Sequence, residues 1–370
     1  MKKSLLALSL FGILTGTAFA QSSVTMYGVL DAGLNYEKPA SSSMKGDLFS
    51  LQSGISTPSR FGFKGNEDIN GSLSVIFQLE AGIQLNDGQS TSNNNQTTQN
   101  GTLFNRQSWL GLSGDFGSVM IGRQFTPLYN ALYSIDPFEL GMAGNAGNLM
   151  HLGGANLINN VLVGGNNVAL ANGGGSQSQN NSLRYVSHDW NGFSLEANYG
   201  FGQQTGSTSG GTESGVTFNY ATGPVKLLAS FDNVNAIDNS NTFKTTLVGG
   251  SINWTELGAP LITNIGYQTN KGNDVVGIAN VDSTALLLGL RIPLGAHEIL
   301  FSYIHNDNKN TGGNAAQYAL GYTYALSKRT SFYASIGEII NKNGGMIASG
   351  NASNAGYGDK AIDMGLRHSF

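Results

Sequence analysis

Cysteine is absent from all 370 residues, so no disulfide holds this chain together and its fold must be secured by other means. Charge is scarce as well: Asp, Glu, Lys and Arg make up 11% of the sequence, against about 25% in ordinary soluble domains. With Lys2 and Lys3 set aside, 17 basic residues face 23 acidic ones, a formal charge of -6, which argues against a nucleic-acid partner. Long apolar runs are missing too. Beyond the first twenty residues the longest is Ala285 to Leu290, six residues with Gly289 among them, whereas a membrane-spanning helix needs about 20. If the chain crosses a membrane, it must do so with strands closed into a barrel.

The first twenty residues stand apart. Met1-Lys2-Lys3 precedes an apolar stretch from Leu5 to Leu14 and then Ala18-Phe19-Ala20, the pattern of a secretory signal peptide with its cleavage site. Residues 1–20 are therefore expected to be a cleaved leader and residues 21–370 one domain, because no composition shift marks a further boundary. Export makes the lack of cysteine more telling, since disulfides are permitted outside the cytoplasm.

The strongest signal in the mature part is alternation with a period of two, the mark of a strand with one apolar face. Val24, Met26, Leu30, Ala32, Leu34 and Tyr36 alternate with Thr25, Asp31 and Asn35. Leu73, Val75, Phe77, Leu79, Ala81 and Ile83 alternate with Ser74, Gln78 and Glu80, and Phe193, Leu195, Ala197, Tyr199 and Phe201 with Ser194, Glu196 and Asn198. Val216, Phe218 and Tyr220 face Val225, Leu227, Ala229 and Phe231 across Thr222-Gly223-Pro224. About sixteen such segments can be counted, with tight connections near Asp68, Gly114, Asp189, Gly223, Thr255, Gly295 and Lys328 and longer connections, rich in Gly, Ser and Asn, between them. Short turns alternating with long loops predict an all-β, antiparallel transmembrane barrel. A soluble sandwich also alternates, but its outer face would carry more charge than the Ser, Thr, Asn, Gln and Gly found here. Aromatics such as Tyr36, Phe61, Phe63, Tyr199, Phe201, Tyr220, Phe231, Tyr267, Tyr322, Tyr324 and Phe370 fall toward strand ends, where amphipathic rings form interfacial girdles.

Several blocks resemble a known family along essentially the whole mature chain. Val24-Thr25-Met26-Tyr27-Gly28-Val29-Leu30-Asp31-Ala32-Gly33 is similar to the first strand of the general porins of β-proteobacteria, of the neisserial and Burkholderia or Bordetella type. Ser59 to Gly65 with Glu67-Asp68, Asn105 to Leu112, Gly117 to Gln124, Tyr322 to Thr330 followed by Tyr333, and Gly365 to Phe370 extend the likeness. The resemblance implies a 16-stranded barrel whose long third loop folds into the pore, assembled as a homotrimer with one channel per subunit. It also implies an outer-membrane location among lipid and lipopolysaccharide, and a terminal Phe370 read as an assembly signal by the barrel insertion machinery.

The longest connection runs from Thr126 to Asn180, and loops of this length are functional or disordered. Asp136 and Glu139, in its first part, are candidate acids of a pore constriction; the other reading is that they pin the loop to the wall. Opposite them, Arg60, Arg106, Arg123 and Arg184 each interrupt a low-charge strand. A charge facing lipid at mid-depth costs about 2–4 kcal/mol, so these four should point inward. Arg60, Arg106 and Arg184 match the constriction arginines of the resembled family, and Arg123 has a second reading as a tether of the loop base. Lys64, Arg291 and Arg367 are weaker candidates, because an arginine near a strand end can snorkel to the interface. The strands beside the long loop, Asn105 to Ser113 and Ser118 to Phe125, alternate poorly, as a wall covered inside by the loop and outside by a neighbouring subunit would.

Enzymatic chemistry finds no foothold. His297-Glu298 lacks the second histidine of a zinc helix, no Gly-x-Ser-x-Gly elbow occurs, no Gly-Lys pair serves a phosphate loop, and Asn306 to Gly312 misses the calcium-loop pattern. No cofactor or metal is expected. The reading is a water-filled channel for passive diffusion of ions and small hydrophilic solutes. A substrate-specific channel and a plugged, adhesive barrel are the alternatives.

Overall fold

The computed structural model describes residues 23–38, 46–90, 103–150, 177–236, 239, 242–273, 280–309, 313–342 and 360–370. The expected leader, residues 1–20, and the part of the long loop from 151 to 176 lie outside the described residues. Among the described residues seventeen strands follow one another: β1 Ser23–Lys38, β2 Leu48–Ser53, β3 Arg60–Asp68, β4 Leu73–Gly82, β5 Gln107–Gly114 and β6 Gly117–Phe125, then β7 Ser178–Val186, β8 Phe193–Gly200, β9 Glu213–Thr222, β10 Val225–Asn235, β11 Thr242–Asn253 and β12 Ile262–Asn273, and finally β13 Asn280–Leu294, β14 His297–Asn308, β15 Asn314–Ala325, β16 Thr330–Lys342 and β17 Lys360–Ser369. From β3 onward each strand pairs antiparallel with the next, and β17 pairs back to β1, so the sheet has no free edge. On its other side β1 pairs with two strands, residues 32–37 with β2 and residues 23–29 with β3. β2 and β3 are thus two halves of one stave, parted at residues 54–59. The result is a closed antiparallel barrel of sixteen staves.

That break is built rather than accidental. The carboxylate of Asp31, fully buried on β1, accepts hydrogen bonds from the backbone N–H groups of Ile55 (3.2 Å), Ser56 (3.2 Å) and Thr57 (3.1 Å), and from the hydroxyl of Tyr333 (2.7 Å). Donors that a continuous ladder would have paired are satisfied by one side chain, and the chain bulges away from the wall.

The alternation read in the sequence is the alternation of the two faces. Along β1, residues 29, 31, 33, 35 and 37 are buried, while Val24, Met26 and Leu34 project from the other side. Phe193, Phe218, Leu227, Phe231, Ile265, Leu320 and Leu366 continue this exposed apolar face around the barrel. Inner positions are polar and enclosed, with Asn35, Gln268, Ser302, Gln317 and Asp363 at zero exposure. The short connections fall near the seven expected places, the tightest being 115–116, 223–224 and 295–296, where the flanking residues still pair. Gly223 (φ 49°) and Gly295 (φ 69°) take the left-handed backbone that such two-residue turns demand. These turns share one rim with the start of β1 and the end of β17.

After β6 the chain enters a nine-residue helix, α1, Pro127–Ile135. Thr126 caps it, its hydroxyl accepting from the Tyr129 N–H at 3.1 Å, and proline occupies the first turn, where its missing N–H costs nothing. Leu128, Leu132 and Ile135 bury against inner-face residues Leu228, Leu247, Leu287 and Ile304. α1 therefore packs chiefly on β8 to β12. Of β5 and β6, whose inner side the loop is expected to cover, Phe125 at the end of β6 packs on Tyr129 of α1, and residues 151–176 of the loop lie outside the described residues. The outer residues of those two strands, Leu110 and Ile121, are exposed in the single chain.

Candidate functional site: the neck of the barrel

The loop is laid along the inner wall by close approaches that only glycine permits. A Cβ on Gly249 or Gly266 would stand 2.7 or 2.9 Å from Ile135 Cδ1, one on Gly289 would stand 2.8 Å from the ring of Pro137, and one on Gly321 would stand 2.6 Å from the ring of Phe138. Beyond Phe138 the chain reaches the break in the second stave, where the Met142 N–H donates to the Ile55 carbonyl (2.6 Å). The Ala143 N–H donates to Ser335 Oγ (3.2 Å), the Asn148 amide to Gln317 (2.9 Å), and the Asn306 amide to the Leu149 carbonyl (2.8 Å). The segment thus follows the wall from β8 round to β16 and the Asp31 turn.

Asp136 organises this path from within. It is 2% exposed, and its carboxylate accepts from the N–H groups of Phe138 (3.1 Å), Leu140 (3.0 Å) and Ala146 (2.9 Å). Burial pushes the carboxyl up to about 6, while the three donors pull against that shift. Among the described residues the partners of Asp136 all belong to the loop itself, none to the barrel wall. Glu139 differs. Its side chain is 36% exposed, and it meets Arg291 at 3.1 Å and the Tyr133 hydroxyl at 3.2 Å. Burial, with the Glu139 charge adding to it, pushes the Tyr133 phenol up to about 12, so it remains a donor. Arg291 also holds Glu298 (2.9 Å).

Of the four expected arginines, Arg60 and Arg106 meet at one carboxylate and Arg123 lies near Arg106. Glu80 on β4 lies between Arg106, at 2.7 Å, and Arg60, at 3.5 Å. Tyr27 donates to the same carboxylate (2.9 Å) and in turn accepts from Gln78 (2.6 Å). Arg123 is fixed by the Asn105 carbonyl (2.6 Å) and by Asn180, which fits the tether reading at the loop base. The guanidinium of Arg106 sits 5.4 Å from the Phe125 ring, and Phe125 packs on Tyr129 of α1 at 4.9 Å between centroids. Arg184 stands apart on β7, paired with Glu196 (2.9 Å), which also accepts from Asn130 of α1 (2.9 Å). Lys64 lies over the Tyr27 ring (5.5 Å). Sequence reasoning did not single out Glu80, the acid that gathers the arginine wall. The available signal was a carboxylate on the polar face of a strand whose neighbours on that face are uncharged. Among the described residues no group of three or more His, Cys, Asp or Glu forms a metal centre.

A closed barrel with an apolar belt outside, a polar lining inside and a helix packed on its inner wall has the architecture of an outer-membrane channel. Comparison with known proteins agrees. A family model described as Gram-negative porin matches residues 4–344. Outer membrane porin protein 32 of Delftia acidovorans is 31% identical over all of both chains, and an outer membrane porin protein of Bordetella pertussis is 28% identical over all of both. The solved anion-selective porin from Comamonas acidovorans superposes with a TM-score of 0.79 at 25% identity, covering 95% of this chain and 100% of that one. The chain belongs to the Gram-negative porin family. It is an outer-membrane β-barrel that lets solutes through by passive diffusion.

Proposed function

We propose that the neck between the arginine wall and the loop is the selectivity element of a general diffusion pore with a mild preference for anions. The observation that carries this is the uneven distribution of charge. Arg60 and Arg106 hold the single carboxylate Glu80, with Arg123 near Arg106, whereas on the loop side one guanidinium, Arg291, answers Glu139 and Glu298. Arg184 and Glu196 cancel. The wall is net positive, the loop side net negative, and the positive side carries the larger excess. Charges facing one another across a low-dielectric neck set up a transverse field that orders water and sorts ions by sign. Arg60, Arg106, Arg123 and Arg184, with Glu139, are the residues that act on a passing ion, and Asp136 acts by holding the loop in place. No catalytic step belongs to this reading.

The working protein is, on the same proposal, a homotrimer in lipid and lipopolysaccharide. Residues 1–20 are removed on export, and Phe370 is offered to the insertion machinery. The test is single-channel conductance in a planar bilayer, with reversal potential under a salt gradient. Steps in groups of three and a potential of anion-selective sign are expected. Correctly inserted protein without steps would overturn the pore reading, and a cation-selective sign would overturn the charge argument.

A further inference from the structure

On the outside of the barrel two lysines stand side by side. Lys244 on β11 and Lys271 on β12 are direct lateral partners, both exposed, at the rim away from the short turns. They share the outer face with Val248, Ile265 and Tyr267, each about half exposed, and the lateral pair Thr246 and Thr269 separates them from the pair Val248 and Tyr267. Their neighbours to either side are Asn233 on β10 and Asp282 on β13. Asp282 is taken by Lys309, directly after β14, at 3.9 Å, and Asp307, the next acid on this face, lies one strand further on in β14. Neither Lys244 nor Lys271 has an ion-pair partner among the described residues. Lys38 and Lys360 form a similar lateral pair at the same rim, on β1 and β17, but there Glu338 answers Lys360 at 3.1 Å.

Like charges directly opposite one another on a sheet destabilise it, and the Cβ atoms of such a pair are about 5 Å apart, so two flexible ammonium groups can close on one anion. Their level says which kind. At about 3.3 Å per residue, the lysines lie about 13 Å along the strands from Val248 and Tyr267, beyond the aromatic ring that marks the edge of an apolar belt. Leu288, the lateral partner of Ile265, continues the apolar surface below them. A free phosphate would gain nothing from that surface, whereas a phosphorylated lipid meets both parts at once. We infer that Lys244 and Lys271, with Lys309 at the edge, form a docking site for a phosphate group of outer-leaflet lipopolysaccharide, whose acyl chains run along Val248, Ile265, Tyr267 and Leu288. The inference rests on the outer-membrane placement of the barrel and is independent of the selectivity of its neck.

The test is titration of protein refolded in detergent, free of lipopolysaccharide, with bisphosphorylated lipid A, followed by native mass spectrometry. Replacing both lysines, Lys244→Gln with Lys271→Gln, should weaken binding about 30-fold, and Lys244→Arg with Lys271→Arg should retain it. Dephosphorylated lipid A should bind wild type and the glutamine variant alike. Removing two charges at the opposite rim, Lys328→Gln with Arg329→Gln, should change nothing. Equal binding of bisphosphorylated lipid A by wild type and the glutamine variant, or an equal loss in the opposite-rim variant, would overturn the site, and inorganic phosphate competing as well as lipid A itself would overturn the lipid reading. If the double glutamine variant does not fold, Lys271→Gln alone carries the comparison. Conductance recorded on the same samples should be the same in all of them, so a failure of the pore reading shows separately.

Discussion

At Glu80 one carboxylate answers two guanidinium groups and a phenol, and it is 3% exposed. Removing the acid of a buried pair leaves an uncompensated charge, typically a loss of about 3–5 kcal/mol, so Glu80→Gln should lower the thermal unfolding midpoint of the barrel. The same substitution adds to the positive excess of the wall. Reversal potentials should therefore move further in the anion-selective direction, and a shift the other way would show that Glu80 does not act on the permeating ion. Arg291→Ala should do the opposite, because it leaves Glu139 and Glu298 without their cation. Arg291 was a weak candidate from sequence, where a strand-end arginine could equally snorkel; only the fold brings the loop acid within 3.1 Å of it.

At the scale of the element, the loop rests on two carboxylates that each collect three backbone N–H groups, Asp136 from inside and Asp31 beneath its docking point. Asp136→Ala strands three buried donors, each costing about 1–3 kcal/mol. Because the barrel ladders do not depend on it, the expected result is a channel of normal assembly whose single-channel current flickers. Gly321→Val tests the same element from the wall side: the side chain would meet the Phe138 ring, displace the loop, and raise conductance while weakening ion selection. A quiet channel of wild-type conductance in both variants would mean that the loop does not form the neck. The helix itself could have been foreseen from Thr126-Pro127, a cap followed by a first-turn proline. Its seat could not, because Gly249, Gly266, Gly289 and Gly321 are spread over four strands and look like ordinary strand glycines in a linear reading.

For the whole molecule, closure is the decisive event. The last residue, Phe370, exchanges two backbone hydrogen bonds with Gly28 (3.0 and 3.1 Å), and its ring lies where a side chain at position 28 would be. Gly28→Val should therefore weaken the seam between β1 and β17, seen as a lower temperature for the gel-mobility shift of folded protein, with channel selectivity unaltered in the fraction that folds. The proposed selectivity is also a property of the whole field. The Debye length falls from about 10 Å at 0.1 M salt to about 3 Å at 1 M, so anion preference should shrink as the salt on both sides is raised at a fixed ratio. A preference indifferent to salt would point to size sorting instead of charge.

The sequence alone determined the barrel. A period of two places every second residue on one face, scarce charge and the lack of a helical span leave strands as the means of crossing, and turn residues recur where seven of the connections prove short. It also supplied the reason to expect Arg60, Arg106, Arg123 and Arg184 on the inner side, since a guanidinium in lipid is too costly. The tertiary structure alone decided which inward residues meet. The split of the second stave with its Asp31–Tyr333 bond, the gathering of Arg60 and Arg106 around Glu80, and the meeting of Glu139 with Arg291 join residues separated by up to 302 positions. Local periodicity fixes which way a side chain points, but the curvature and register of a closed sheet fix what stands opposite it.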